Sequence, residues 1–94
     1  MTTVYRLSIS DVAEREMRRL PGTVKQRIRR MVNSLASNPY PPETKELRGR
    51  PGRYRIRLDK WRIIYRVDDD AVLVEIMRVR RKTGSETPMT AGDA

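Results

Sequence analysis

The chain contains no cysteine, no histidine and no phenylalanine, and it has a single tryptophan. Without cysteine there is no disulfide bond and no thiol nucleophile, and without histidine there is no imidazole to act as a general base. Nearly all zinc and haem sites need one of these two side chains, so we expect neither a metal nor a cofactor. Any catalysis must therefore come from arginine, lysine, tyrosine, hydroxyl or carboxylate groups.

Long hydrophobic runs are also missing. No apolar segment approaches the roughly 20 residues that a membrane span requires, and residues 1–10 lack the apolar core of a signal peptide. These absences predict a soluble, cytoplasmic protein with no membrane partner. The length of 94 residues suits a single domain.

Acidic residues are scarce relative to basic ones. The chain has 12 Asp and Glu against 21 Lys and Arg, which gives a formal net charge of +9 at pH 7. A surplus of this size favours a polyanion or an acidic protein as the partner. A basic surface can also serve solubility alone, so charge by itself leaves that alternative open.

Hydrophobic periodicity predicts a strand and two helices in the first half of the chain. Residues 3–9 alternate as a strand. Ser10 is placed to cap a first helix that ends at Pro21. A capping box over residues 23–26 predicts the start of a second helix, which stops before Pro39. Two amphipathic helices joined by so short a turn form an αα-hairpin.

The second half predicts an antiparallel meander after an extended, proline-containing connection. Three segments have strand periodicity, over residues 53–58, 61–67 and 71–79. The whole is an α+β domain over residues 1–82, in which the hairpin covers one face of a sheet and the other face stays open to solvent or ligand. Residues 83–94 are polar without periodicity and predict a mobile tail.

The positive charge is concentrated in the predicted sheet, where residues 45–66 hold nine basic residues against two acidic ones. Because alternate residues of a strand share a face, we expect Arg53, Arg55 and Arg57 in a row about 6–7 Å apart, with Arg62 on the same face. Like charges in a row repel each other, and a bound anion relieves that repulsion. The pattern favours an anion-binding face over one kept only for solubility.

The aromatic residues of these strands alternate with the arginines. Tyr54, Trp61 and Tyr65 are predicted to belong to the core, because the chain has no phenylalanine with which to fill it.

Three segments of this region, Glu46 to Gly49, Tyr54-Arg55-Ile56-Arg57 and Trp61 to Arg66, resemble the RelE/ParE superfamily of type II toxins. The likeness extends from Thr3 to about Lys82. The short hairpin and the basic sheet are similar to the RelE branch, whose members cut mRNA in the ribosomal A site. The ParE branch, which poisons gyrase, is the nearest alternative. A toxin-like binding module without activity is a third.

The resemblance implies roles for individual residues. It places Arg62 beside the scissile phosphate, with Arg55 and Arg57 as further cations of the site. It puts Arg81 or Lys82 at a basic position after the last strand. The remaining basic residues of the region form the predicted RNA-binding set: Lys45, Arg48, Arg50, Arg53, Lys60, Arg66 and Arg80.

The reaction that the resemblance implies is attack of a 2′-hydroxyl on the adjacent phosphorus, with no metal. Lys82 is the first candidate for the base and Glu86 the second. RelE enzymes commonly carry a tyrosine a few residues further on, and residues 83–88 contain none. The sequence therefore leaves open whether cleavage is retained.

The resemblance also implies partners. These are a cognate antitoxin, the ribosome with its mRNA, and operator DNA reached only through the antitoxin complex. The net charge of +9 predicts that the antitoxin is acidic.

Overall fold

The computed structural model describes residues 4–81, which form one five-stranded sheet and two helices. The strands are β1 (Arg6–Ile9), β2 (Lys45–Glu46), β3 (Arg53–Leu58), β4 (Trp61–Asp68) and β5 (Leu73–Arg81), and the helices are α1 (Asp11–Arg18) and α2 (Gly22–Ser34). The strand order is β1-β5-β4-β3-β2, with β1 parallel to β5 and every other pair antiparallel. The predicted α+β class, with its first strand, helical hairpin and meander, is confirmed.

Several strand boundaries differ from the predicted ones, and one strand was not predicted. β1 begins at Arg6, and β5 continues to Arg81 where the sequence predicted an end at residue 79. Arg80 and Arg81 belong to β5 because they pair with Arg62 and Trp61 at the start of β4. β2 was not predicted, since two residues carry no periodicity and exist as a strand only through pairing with β3. The predicted domain end at residue 82 and the tail of residues 83–94 lie outside the described residues.

The two helices begin in different ways. The Ser10 Oγ accepts a hydrogen bond from the Ala13 N–H at 3.1 Å, as the sequence predicted for the cap of α1. The predicted capping box of α2 is wrong, because Pro21 is the cap residue, no side chain caps the helix, and Thr23 already lies within it. Proline at this position supplies a fixed φ of −57° just before the helix. Within residues 4–81, neither helix is long and apolar enough to cross a membrane.

The hydrophobic core lies between the helices and one face of the sheet. Ile28 of α2, Ile63 of β4 and Ile76 of β5 are fully buried in it. Tyr65 is also fully buried and stacks on Tyr54, with ring centroids 5.8 Å apart. Tyr54 and Trp61 pack against the same core. The prediction that these three aromatic side chains belong to the core is therefore confirmed.

Asp69, in the turn between β4 and β5, accepts hydrogen bonds from two tyrosines. The Tyr5 hydroxyl donates to its Oδ1 at 2.6 Å, and the Tyr40 hydroxyl donates to its Oδ2 at 3.0 Å. Burial, together with the bond to Asp69, raises the pKa of Tyr40. The bond to Asp69 is also the main cause of the raised pKa of Tyr5. Asp69 thereby ties the start of the chain and the connection after α2 to one turn of the sheet.

We expect the free energy of unfolding to fall above about pH 10. A tyrosine whose pKa is higher in the folded chain keeps its proton there after the unfolded chain has released it. Its contribution to the free energy of unfolding is complete below its ordinary pKa of about 10, and it is lost as pH rises through the pKa of the folded chain. Urea unfolding at about pH 9 and about pH 11 measures the effect. The midpoint should drop less in Tyr40→Phe than in the parent, and equal drops would contradict the assignment.

Candidate nucleic-acid interface

The sheet face opposite the helices carries three arginines side by side on three adjacent strands. Arg57 of β3 lies in register with Arg62 of β4, which in turn lies in register with Arg80 of β5. Residues in register share a face, and neighbouring strands are about 5 Å apart. These three residues are called the cross-strand arginine row below.

Arg62 stands at the centre of the row. Its side chain is half-buried, whereas Arg57 and Arg80 are exposed. The Arg62 Nε is buried and has no hydrogen-bond partner within residues 4–81. In the same part of the chain no carboxylate forms an ion pair with any of the three guanidinium groups. A buried donor without a partner is rare in folded proteins. A bound anion would accept a hydrogen bond from this donor and would also compensate the positive charges around it.

The other arginines of this face are in different surroundings. Arg55 and Arg53 are half-buried. Arg55 lies in register with Ile64, and Arg53 lies in register with Arg66. Arg66 donates from Nε and Nη2 to the Glu75 Oε1, at 3.1 Å and 3.0 Å. Its Nη1 also lies 3.9 Å from the Asp68 Oδ2. The charge of Arg66 is thus compensated within the sheet, unlike that of the cross-strand arginine row.

The end of β5 separates two basic residues that are adjacent in sequence. Arg80 pairs with Arg62, whereas Arg81 pairs with Trp61, whose side chain packs against the core. The Arg81 side chain therefore starts from the opposite face of the sheet. Arg81 also lies within β5, whereas the resemblance placed this basic position after the last strand. Lys82 and Glu86, the two candidates for the base, lie outside the described residues.

The remaining members of the predicted RNA-binding set surround the open face. Lys45 is exposed on β2, and Lys60 is exposed in the turn between β3 and β4. Arg48 and Arg50 are exposed on the loop before β3. Gly49 allows this loop to turn, because its φ of 73° is a conformation that side chains disfavour.

A groove of about 420 Å³ runs along the open face between this loop and the start of α1. Its apolar lining comes from Val12, Leu47, Ile64 and Met77. The basic residues at its border are Arg50, Arg53, Arg78 and Arg80.

Sequence reasoning missed Arg78 and its partner Glu16. Arg78 donates to the Glu16 Oε2 from Nη2 at 2.7 Å and from Nε at 3.1 Å, and this bond raises the pKa of Arg78. The spacing of two residues between Arg78 and Arg80 was a signal that the two share a face. No signal linked Arg78 to a helix 62 residues earlier in the chain.

The arrangement can bind a phosphodiester and stabilise charge that develops on it. Guanidinium groups donate pairs of parallel hydrogen bonds to phosphate oxygens, and strands hold them in fixed positions. Within residues 4–81 no cluster of acidic side chains could hold a metal ion. Fold and site together define a class of small α+β proteins with a cationic open sheet face.

Comparison with known proteins places the chain within this class. Residues 7–84 match the family model described as ParE toxin of the type II toxin-antitoxin system parDE. The chain is 31% identical to the mRNA interferase toxin RelE of Escherichia coli over 84 residues, which cover 87% of each protein. The chain therefore belongs to the RelE/ParE superfamily of type II toxin-antitoxin toxins.

Solved structures agree with this assignment. The isolated Escherichia coli RelE toxin superposes with a TM-score of 0.77 at 30% identity, covering 87% of this chain and 88% of that one. The toxin of the intact Escherichia coli RelBE toxin-antitoxin complex gives a TM-score of 0.72 at 30% identity, covering 82% of this chain and 95% of that one.

Proposed function

We propose that this toxin is a ribosome-dependent endoribonuclease that cleaves mRNA in the A site. The observation that carries the proposal is the cross-strand arginine row, with the buried and unpartnered Nε of Arg62 at its centre. The similarity to a protein named as an mRNA interferase supports it.

The proposed reaction is attack of a 2′-hydroxyl on the adjacent phosphorus. The P–O5′ bond breaks, which leaves a 2′,3′-cyclic phosphate on one fragment, and the departing oxygen takes up a proton from solvent to become the 5′-hydroxyl of the other. The pentacovalent transition state carries more negative charge on its oxygens than the diester does, and fixed guanidinium groups stabilise that increase. Arg62 makes the central contact, and Arg57 and Arg80 flank it. Arg55, on the same face, completes the proposed catalytic set, and Arg81 starts from the opposite face at the end of β5.

The proton of the attacking hydroxyl needs an acceptor. Arginine stays protonated at any physiological pH, so no member of the row can take it. Lys82 is the proposed base, and Glu86 is the second candidate. The ribosome contributes by holding the mRNA in line for attack, an effect worth up to several kcal/mol.

An acidic antitoxin is the proposed protein partner. Toxins of similar structure are found with their antitoxins in complexes such as RelBE. A flexible acidic segment that folds on the toxin would neutralise the open face. Operator DNA would be bound only through that complex.

Inhibition of gyrase is the second candidate function. The match of residues 7–84 to the family model named for ParE favours it. In that case the basic face would bind a protein target, and mRNA would remain intact.

Expression without an antitoxin separates the two functions. We expect growth arrest together with in-frame cuts in mRNA, mapped by primer extension within minutes of induction. A matched culture that expresses Arg62→Ala should show neither. A DNA-damage response with intact mRNA would support gyrase inhibition. Normal growth with soluble protein present would contradict both functions and leave a binding module.

A further inference from the structure

The outer edge of β5 loses its neighbouring strand before the strand itself ends. β1 pairs with β5 only as far as Ile9, which lies opposite Ile76. β5 continues to Arg81, and the cross-strand arginine row includes Arg80 in this last part. The edge of the sheet beside Arg80 therefore needs some other support, because unpaired strand ends fray.

Helix α1 and its cap residue supply that support through one side chain each. The Ser10 Oγ donates to the Met77 carbonyl oxygen at 2.9 Å. The Glu16 Oε1 accepts from the Val79 N–H at 2.7 Å. Val79 is 2% exposed, so without Glu16 its N–H would be a buried donor lacking a partner. α1 thus takes the place of the missing strand along residues 77–79.

The same carboxylate also acts on the charges next to Arg80. Its other oxygen, Oε2, accepts both hydrogen bonds from Arg78, which lies two residues before Arg80 and borders the same groove. Glu16 therefore draws the Arg78 guanidinium towards α1 and neutralises it. Arg80 is left as the cation of this strand that faces Arg62.

We propose that Glu16 is a positioning residue for Arg80: by holding the Val79 N–H and the Arg78 guanidinium, it fixes the end of β5 and aims Arg80 at the phosphate beside Arg62. The inference rests on the proposed function for its substrate, an RNA phosphodiester. Both carboxylate oxygens of Glu16 are bonded to β5, so its proposed role is to act through Arg80 and not on the substrate.

The test is a double-mutant cycle between Glu16 and Arg80. Cleavage is measured in single turnover on ribosomes programmed with mRNA, and binding is measured by anisotropy with a labelled single-stranded RNA oligonucleotide. Glu16→Ala should slow cleavage by about tenfold and weaken binding. In the Arg80→Ala background the same change should have no further effect on either quantity, because the group that it positions is gone.

Two further variants separate positioning from folding. Glu16→Gln keeps an oxygen for the Val79 N–H but turns an NH2 donor towards Arg78, so it should recover only part of the loss. Glu14→Ala is the matched control: this half-buried carboxylate lies on the same helix, and within residues 4–81 its ion pair is with Arg18, at 4.0 Å. It should leave cleavage and binding unchanged.

The outcomes distinguish this inference from the proposed function. A parent protein that binds the oligonucleotide but cuts no mRNA contradicts the proposed function alone. The coupling between Glu16 and Arg80 is then measured from the RNA affinities of the variants. Losses that add in the double variant, or equal losses in Glu14→Ala, would overturn the role of Glu16. A parent that neither cuts nor binds RNA would overturn both.

Discussion

Replacing Arg62 with alanine should slow mRNA cleavage about a hundredfold or more, equivalent to about 3 kcal/mol of transition-state stabilisation. Arg62 is the central member of the cross-strand arginine row, and its Nε has no partner within residues 4–81. Because the transition state carries more charge than the bound substrate, loss of this donor should reduce the cleavage step more than ribosome binding. Single-turnover cleavage and binding, measured side by side, give the comparison.

Three controls accompany that measurement. Arg62→Lys keeps the charge without the bidentate fork, so it should restore binding and only part of the cleavage rate. Arg29→Ala, on the exposed side of α2, should change little. Melting curves show whether each variant remains folded. A folded Arg62→Ala variant that cuts as fast as the parent would show that this face is not the catalytic site.

Replacing Val74 with alanine should lower the free energy of unfolding by about 2–3 kcal/mol. Val74 lies in β5 between Leu7 and Val67, its register partners on the two neighbouring strands, and it is fully buried. Removing two methyl groups there leaves a cavity between the sheet and the helices, and the paired strands cannot shift far enough to close it. For a domain of this size the melting temperature should fall by roughly 10–20 °C.

The matched control is the same substitution at Val4, which is 65% exposed. It should change the melting temperature by no more than about 2 °C, since an exposed valine loses little burial on truncation. Thermal unfolding followed by circular dichroism compares the two variants directly. Equal shifts at the two positions would contradict the assignment of the core.

The class and element order of the fold could be read from the sequence because they depend on local periodicity. Alternation with a period of two identified the meander, and the helical hairpin followed from spacing and from Ser10 as a cap. The strict alternation around Arg57 and Arg62 also predicted the face that these two residues share. The predicted capping box at the start of α2 was wrong because the helix begins earlier than its pattern indicated. Pro21 is the cap residue, so Thr23 already lies inside the helix and cannot cap it.

Pairing between distant strands could not be read in this way. Nothing in the composition of β1 indicates that it lies parallel to β5, with Ile9 opposite Ile76. Only that crossover leaves the end of β5 without a strand beside it, so that Glu16 can bind Val79. The sequence by itself determined that this protein has a basic sheet with arginines on one face, because charge and alternation are local. The tertiary structure decided which arginines meet and which are neutralised, because register and ion pairs such as that between Arg66 and Glu75 join residues that only the folded sheet brings together.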